Sequence, residues 1–156
     1  MNKLKRILVP TDFSDTADLA LRYGHSLARQ YEAQLHLLHV IPDPTTAMGI
    51  YEQIADAIPP DWQETMLRHS EEQLQKQAAG VCGPANKVIR TTLQGDAYSE
   101  IIRYTKFNAI DLIVIGTHGR TSSVHHLIGG LTDRIFRKAP CPVLTVPPAD
   151  RRFKLP

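Results

Sequence analysis

Short, almost unbroken apolar runs alternate along this chain with longer segments whose apolar residues recur at helical spacing. That alternation leaves few architectures open. Arg6–Pro10, Gln34–Ile41 and Asp111–Gly116 are too short for core helices and are apolar on both sides of the chain, apart from a few polar positions such as His36 and His39. Strands of this kind belong to parallel sheets covered by helices on both faces. Between them, 14–31 reads as a helix: Ser14 is a candidate N-cap, Asp15 and Asp18 suit its positive end, and Arg29 suits its negative end. Its apolar stripe is Ala17, Ala20, Leu21, Gly24, Leu27, Ala28 and Tyr31.

The same reading continues to the end of the chain. Residues 42–60, with Pro42, Pro44, Pro59 and Pro60, read as an irregular connection. A helix follows from Asp61, with Glu64 as capping-box partner and Trp62, Met66, Leu67, Leu74 and Ala78 as its apolar face. Gly80 and Gly83-Pro84 are its expected stops. Lys87–Leu93 reads as the third strand. Gly95-Asp96 opens a helix with Tyr98, Ile101, Ile102 and Thr105 as core. Leu131 to about Lys138 is the last helix, and Pro142–Pro147 the fifth strand. Right-handed crossovers then give one doubly wound α/β domain: a five-stranded parallel sheet of order 3-2-1-4-5 with helices on both faces. We expect the domain over 1–148 and a tail over 149–156.

Strand order reverses between strands one and four, and ligands bind outside the carboxyl ends of strands at such a point. Two loops lie there, 10–14 and 116–130. The second is rich in glycine: Gly116, Gly119, Gly129 and Gly130. Glycines after a buried strand let backbone N–H groups approach a phosphate. Gly129 and Gly130 immediately precede a helix, whose free N–H groups and positive dipole end attract anions. Arg120 adds charge. Asp12, just past strand one, has two readings: a carboxylate accepting bonds from a ribose hydroxyl or adenine amino group, or a cap on its own turn.

Here the chain resembles the ATP-binding branch of the universal stress protein family. Gly116-x2-Gly119-x9-Gly129 is similar to that family's nucleotide loop. Ile7–Ser14, Leu38-His39-Val40, Asp111–Gly119 and Ala139–Val146 resemble its other motifs, in order, over nearly the whole chain. The resemblance implies an adenine nucleotide alpha hydrolase-like fold and a ligand of ATP, ADP or AMP, with or without Mg2+. It implies that Pro10 and Thr11 line the base pocket and that Asp12 and the backbone of Val40 face adenine and ribose. Gly116, Thr117, His118, Gly119, Arg120, Gly129, Gly130 and Leu131 would hold the phosphates. One departure stands out: the family's Ser or Thr after the third glycine is Gly130 here. The N–H is kept and a hydroxyl bond lost, worth roughly 0.5–1.5 kcal/mol. That weakens ATP binding or shifts preference toward ADP or AMP.

Other classes find little support. Net charge is +2, from 18 basic and 16 acidic residues, short of the basic excess of a phosphate-tracking nucleic-acid binder. Cys82 and Cys141 form no C-x-x-C pattern, and Cys141 reads as structural. No apolar run approaches the roughly 18–20 residues of a membrane span. The N-terminal residues show no signal-peptide stretch, so the expected location is the cytoplasm. There is no Walker P-loop, dinucleotide fingerprint or G-x-S-x-G elbow, so Ser122 and Ser123 are not read as nucleophiles. His118, His125 and His126 lack supporting carboxylates or thiols at metal spacing, so they read as phosphate neighbours or solvated residues. His36 and His39 fall on opposite faces of strand two. The expected role is adenine nucleotide sensing or storage in a stress response, acting through protein partners not specified by the sequence. No catalytic residue is assigned; the alternative, a slow ATP hydrolase or phosphotransferase, lacks an evident base. Strand five lies at the sheet margin, and its edge, Val143–Val146, is the expected homodimer contact.

Overall fold

A computed structural model describes residues 4–44, 58–85, 87–117 and 130–149. The elements are β1 (Arg6–Pro10), α1 (Asp15–Tyr31), β2 (Gln34–Ile41), α2 (Trp62–Cys82), β3 (Ile89–Gln94), α3 (Ala97–Phe107), β4 (Leu112–Gly116), α4 (Leu131–Lys138) and β5 (Val143–Val146). The five strands form one parallel sheet of order β3-β2-β1-β4-β5, as the alternation of runs predicts.

Period-two alternation divides the core between two faces. Ile7 and Val9 of β1, Leu35 and Leu37 of β2 and Val114 of β4 pack with Ala20, Leu21 and Ala28 of α1 and Leu74 and Ala78 of α2. Leu8, Leu38, Ile113 and Ile115 pack on the other face with Ile101 of α3 and Ile135 of α4. Val9 and Leu8 are wholly shielded from water. Both faces of β1 are thus apolar because both are covered. Among the described residues, no helix is long and apolar enough to cross a membrane.

Two helix starts follow the sequence and one does not. Ser14 has an extended backbone, and its Oγ accepts from the Ala17 N–H at 3.2 Å. Asp96 is likewise extended, and its carboxylate accepts from the N–H and hydroxyl of Ser99. Those bonds hold the Asp96 carboxyl below its usual pKa. Asp61 makes no side-chain cap bond, so the expected capping box with Glu64 is not formed. Its ψ of 5° does not place the side chain for capping. α2 also runs through Gly80 and ends only at Gly83, whose φ of 89° suits glycine alone.

The remaining differences are small. β3 begins at Ile89, where the ladder with His36 starts, and reaches Gln94. β4 begins at Leu112, because Asp111 serves as a clasp: its Oδ2 accepts from the N–H groups of Lys5 and Arg6 at 2.8 and 2.9 Å. β5 spans only Val143–Val146, bracketed by Pro142 and Pro147, which have no N–H to pair. Tyr31 is 43% exposed rather than packed, at the last turn before Glu32 reverses the chain in a left-handed conformation. In α2, Leu74 and Ala78 are buried as expected, joined by Ser70. The side chains of Trp62, Met66 and Leu67 are only half-buried.

Candidate functional site

β1 is central, with β2 on one side and β4 on the other. Chain connections depart in opposite directions from β1 and β4, so their carboxyl ends form the switch point at which folds of this kind bind ligands. On one rim, the turn after β1 is closed by side chains. Thr11 is buried, its N–H donates to the Leu38 carbonyl at 2.8 Å, and its carbonyl is 2.8 Å from His39 Nδ1. Its hydroxyl donates to Gln77 Oε1 at 2.9 Å and accepts from the Phe13 N–H at 3.0 Å. Gln77 Nε2 in turn donates to Asp18 Oδ1 at 2.6 Å. Asp12 Oδ1 accepts from the Ser14 N–H at 3.1 Å, so the turn-capping reading of Asp12 is realised. Phe13 has φ +64°, and a left-handed non-glycine residue costs about 1–3 kcal/mol. Its ring lies 4.4 Å from that of His39, so the strained residue is held by its surroundings.

The other rim is built from backbone. A Cβ on Gly116 would stand 2.8 Å from Thr16 Cγ2 and 3.2 Å from Thr16 O. Only glycine lets β4 end this close to α1. The Gly116 carbonyl accepts from the Thr132 hydroxyl at 2.8 Å, which ties the first turn of α4 to the end of β4. Thr117 N–H donates to the Val146 carbonyl at 2.9 Å. Gly130 occupies the N-cap of α4 with no side-chain cap bond. Among the described residues, nothing lies within 4 Å of a Cβ built there. Among the described residues, no side chain caps the amino end of α4, where the helix dipole is positive. One turn on, the Arg134 guanidinium lies 4.2 Å above the ring of Tyr98.

Pro10, Thr11, Asp12 and Val40 thus fall at the ends of β1 and β2, and Gly116, Thr117, Gly130 and Leu131 at β4 and α4. The side chain of Leu131, at the first position of α4, is 39% exposed. His118, Gly119, Arg120 and Gly129 lie outside the described residues, as do Ser122, Ser123, His125 and His126. Among the described residues, no three His, Cys, Asp or Glu side chains are grouped to hold a metal. Both cysteines are free thiols, and burial pushes Cys82 up to about 11 and raises Cys141 as well. Such thiols stay protonated and are poor nucleophiles. His36 bonds Tyr104 and Gln34, on the opposite face from His39. Sequence reasoning missed Gln77, His39 and Thr132 as partners of the site. Their contacts span 66, 28 and 16 residues, with no motif at that spacing.

A parallel sheet of this order, with Gly116 and the start of α4 at its switch point, defines a doubly wound α/β protein. The universal stress protein family model matches residues 3–147, and the chain belongs to that family. It is 29% identical to Universal stress protein MJ0531 of Methanocaldococcus jannaschii over 93% of this chain and 83% of that one. The solved structure of MJ0577 from the same organism superposes with a TM-score of 0.78 at 25% identity, covering 96% of this chain and 99% of that one. A universal stress protein from Archaeoglobus fulgidus in complex with dAMP shares the fold with a TM-score of 0.65 at 17% identity, covering 93% and 99% of the two chains. A universal stress protein in complex with cAMP shares it at the same TM-score and identity.

Proposed function

We propose that this chain binds an adenine nucleotide in the crevice between β1 and β4 and acts as a sensor or store of it in the cytoplasm. The observation that carries the proposal is the pairing of two unlike rims. One is a rigid turn of polar side chains at Thr11–Asp12. The other is a backbone surface from Gly116 to the uncapped N-terminus of α4. A nucleotide has the matching asymmetry: a flat, polar-edged base and ribose at one end and phosphate at the other. Pro10, Thr11, Asp12 and the backbone of Val40 would take the base and ribose. Gly116, Thr117, His118, Gly119, Arg120, Gly129, Gly130 and the Leu131 N–H would take the phosphates. Backbone N–H groups and a helix dipole suit phosphate without a metal, and Mg2+ would serve only to accompany ATP. The dAMP and cAMP complexes of fold relatives support the ligand class.

A homodimer through β5 belongs to the same proposal. β5 is the edge strand, and Leu144 is 38% exposed on it. The carbonyls of Pro142 and Val146 accept from the N–H groups of Ile113 and Thr117, so they face β4. Alternation then turns the backbone groups of Val143 and Thr145 outward, toward a partner strand. Thr145→Pro removes an outward donor and should shift light scattering toward monomer; unchanged mass would exclude this edge. The ligand itself is tested by denaturing freshly purified protein and identifying released small molecules by mass spectrometry. An adenine nucleotide near one per chain is expected. A different compound at that stoichiometry would overturn the assignment.

A further inference from the structure

We infer that Gln77, on α2, is a positioning residue for the nucleoside half of the ligand. This inference rests on the binding site proposed above. Among the described residues, Gln77 bonds Thr11 on one side and Asp18 on the other. Those bonds fix the direction of every proton in the network. An Asp18 carboxylate only accepts, so it takes the amide N–H of Gln77, and the amide oxygen is left facing Thr11. The Thr11 hydroxyl has a single proton, which goes to that oxygen. Its lone pairs are then free to receive the Phe13 N–H.

The consequence lies at Asp12. Thr11 and Phe13 are its two neighbours, and both are held through the one hydroxyl that Gln77 orients. Phe13 is in the left-handed region, which a bulky side chain leaves when its restraints are released. Loss of the Gln77 oxygen frees the Thr11 hydroxyl to turn, loosens the Phe13 N–H bond, and lets the Asp12 carboxylate and backbone drift from the position a ribose or base requires. His39 holds the Thr11 carbonyl from β2 independently, so the turn is weakened and not lost. α2 thus contributes to ligand binding without lining the crevice.

The test uses affinities for adenosine, AMP and ATP, measured calorimetrically on the full chain stripped of nucleotide. Gln77→Ala should weaken all three by about the same factor, roughly three- to tenfold, as expected for one buried hydrogen bond. The ratio of ATP to adenosine affinity should stay at its wild-type value. A general loss of structure would instead lower the binding stoichiometry and leave the affinities of the remaining sites unchanged. Gln77→Glu keeps the acceptor for Thr11 but sets a carboxylate against Asp18, and should also weaken binding. Adding Asp18→Asn restores a donor to that carboxylate and should recover the wild-type affinities. Amide hydrogen exchange gives a readout that needs no ligand: the Phe13 N–H should exchange faster in Gln77→Ala and regain protection in the double variant. Wild-type affinities in Gln77→Ala, or a loss confined to ATP, would overturn the inference and leave the nucleotide site standing. A wild-type protein that binds none of the three would remove both.

Discussion

The two rims of the crevice are built on opposite principles. After β1, side chains set the shape: Gln77 and His39 hold Thr11 at 2.9 and 2.8 Å, and Asp12 holds the Ser14 N–H at 3.1 Å. After β4, side chains are removed: Gly116 has no room for a Cβ and Gly130 offers no cap. On the proposed assignment, the difference teaches that a rim taking a base and sugar needs fixed polar atoms in a few directions. A rim receiving phosphate needs exposed N–H groups and close approach. A rigid network tolerates little substitution of any member. A backbone rim tolerates none where packing is tight and a good deal where space is open.

The largest effect should come from the tight point of the backbone rim. Gly116→Val places branched carbon within 3 Å of Thr16, and overpacking of this kind costs about 1–3 kcal/mol or more. Urea unfolding should show the midpoint fall with unchanged slope. A midpoint equal to wild type would mean that β4 and α1 move apart freely, and the contrast between rims would be lost.

Thr11→Val is next. It keeps the shape of the side chain but strands the Phe13 N–H and the Gln77 oxygen, a loss of about 1–3 kcal/mol for buried unsatisfied groups. A drop in both stability and adenosine affinity is expected. Full stability with normal binding would show that the side-chain rim is not a network.

Gly130→Ser sharpens the comparison in the favourable direction. The site has φ −69° and ψ 170°, which any residue adopts, and no described atom crowds the new Cβ. The hydroxyl can cap α4 and reach phosphate. ATP affinity should rise about tenfold or less, while adenosine affinity stays constant. An equal change for both ligands would contradict the division of labour between rims.

The smallest effect concerns acid. His36 sits on the sheet face away from Thr11, bonded to Tyr104, and burial lowers its pKa below the ordinary 6.5, with nearby Arg6 adding to the shift. The folded form then binds its proton less readily than the unfolded chain. Its contribution to stability is complete above 6.5 and declines as pH falls below that value. His25, lowered by partial burial and Arg29, adds in the same direction. Unfolding free energy measured from pH 7.5 downward should decline below about 6.5. His36→Gln should flatten part of the slope. A flat profile in the wild type would show that His36 is not held neutral.

Much of the frame was legible because it is local. Apolar runs, helical stripes and loop glycines identified five strands in the observed order and placed the switch point at residues 10–14 and 116–130. The helix starts show where local reading succeeds and where it stops. Ser14, Asp96 and Asp61 are all good capping residues, yet only the first two have the extended backbone that brings the side chain onto the helix. Asp61 follows Pro59-Pro60 and turns instead. The side-chain rim was half legible. Asp12 stands out beside β1, but nothing near it announces Gln77 or His39, which arrive from α2 and β2 through the fold. Gly116 was legible as the glycine that ends β4, while the contact with Thr16 that requires it appears only in three dimensions.

The central claim, an adenine nucleotide held between the rims, is tested most directly by titration calorimetry on protein stripped of endogenous ligand. ATP, ADP, AMP and cAMP would each be titrated into wild type and into Gly119→Val, which sets a branched side chain in the glycine loop. Saturable binding at one site per chain for at least one of the four, lost in the valine variant, is the predicted result. No heat with any of the four in the wild type, or equal binding by the valine variant, would contradict it.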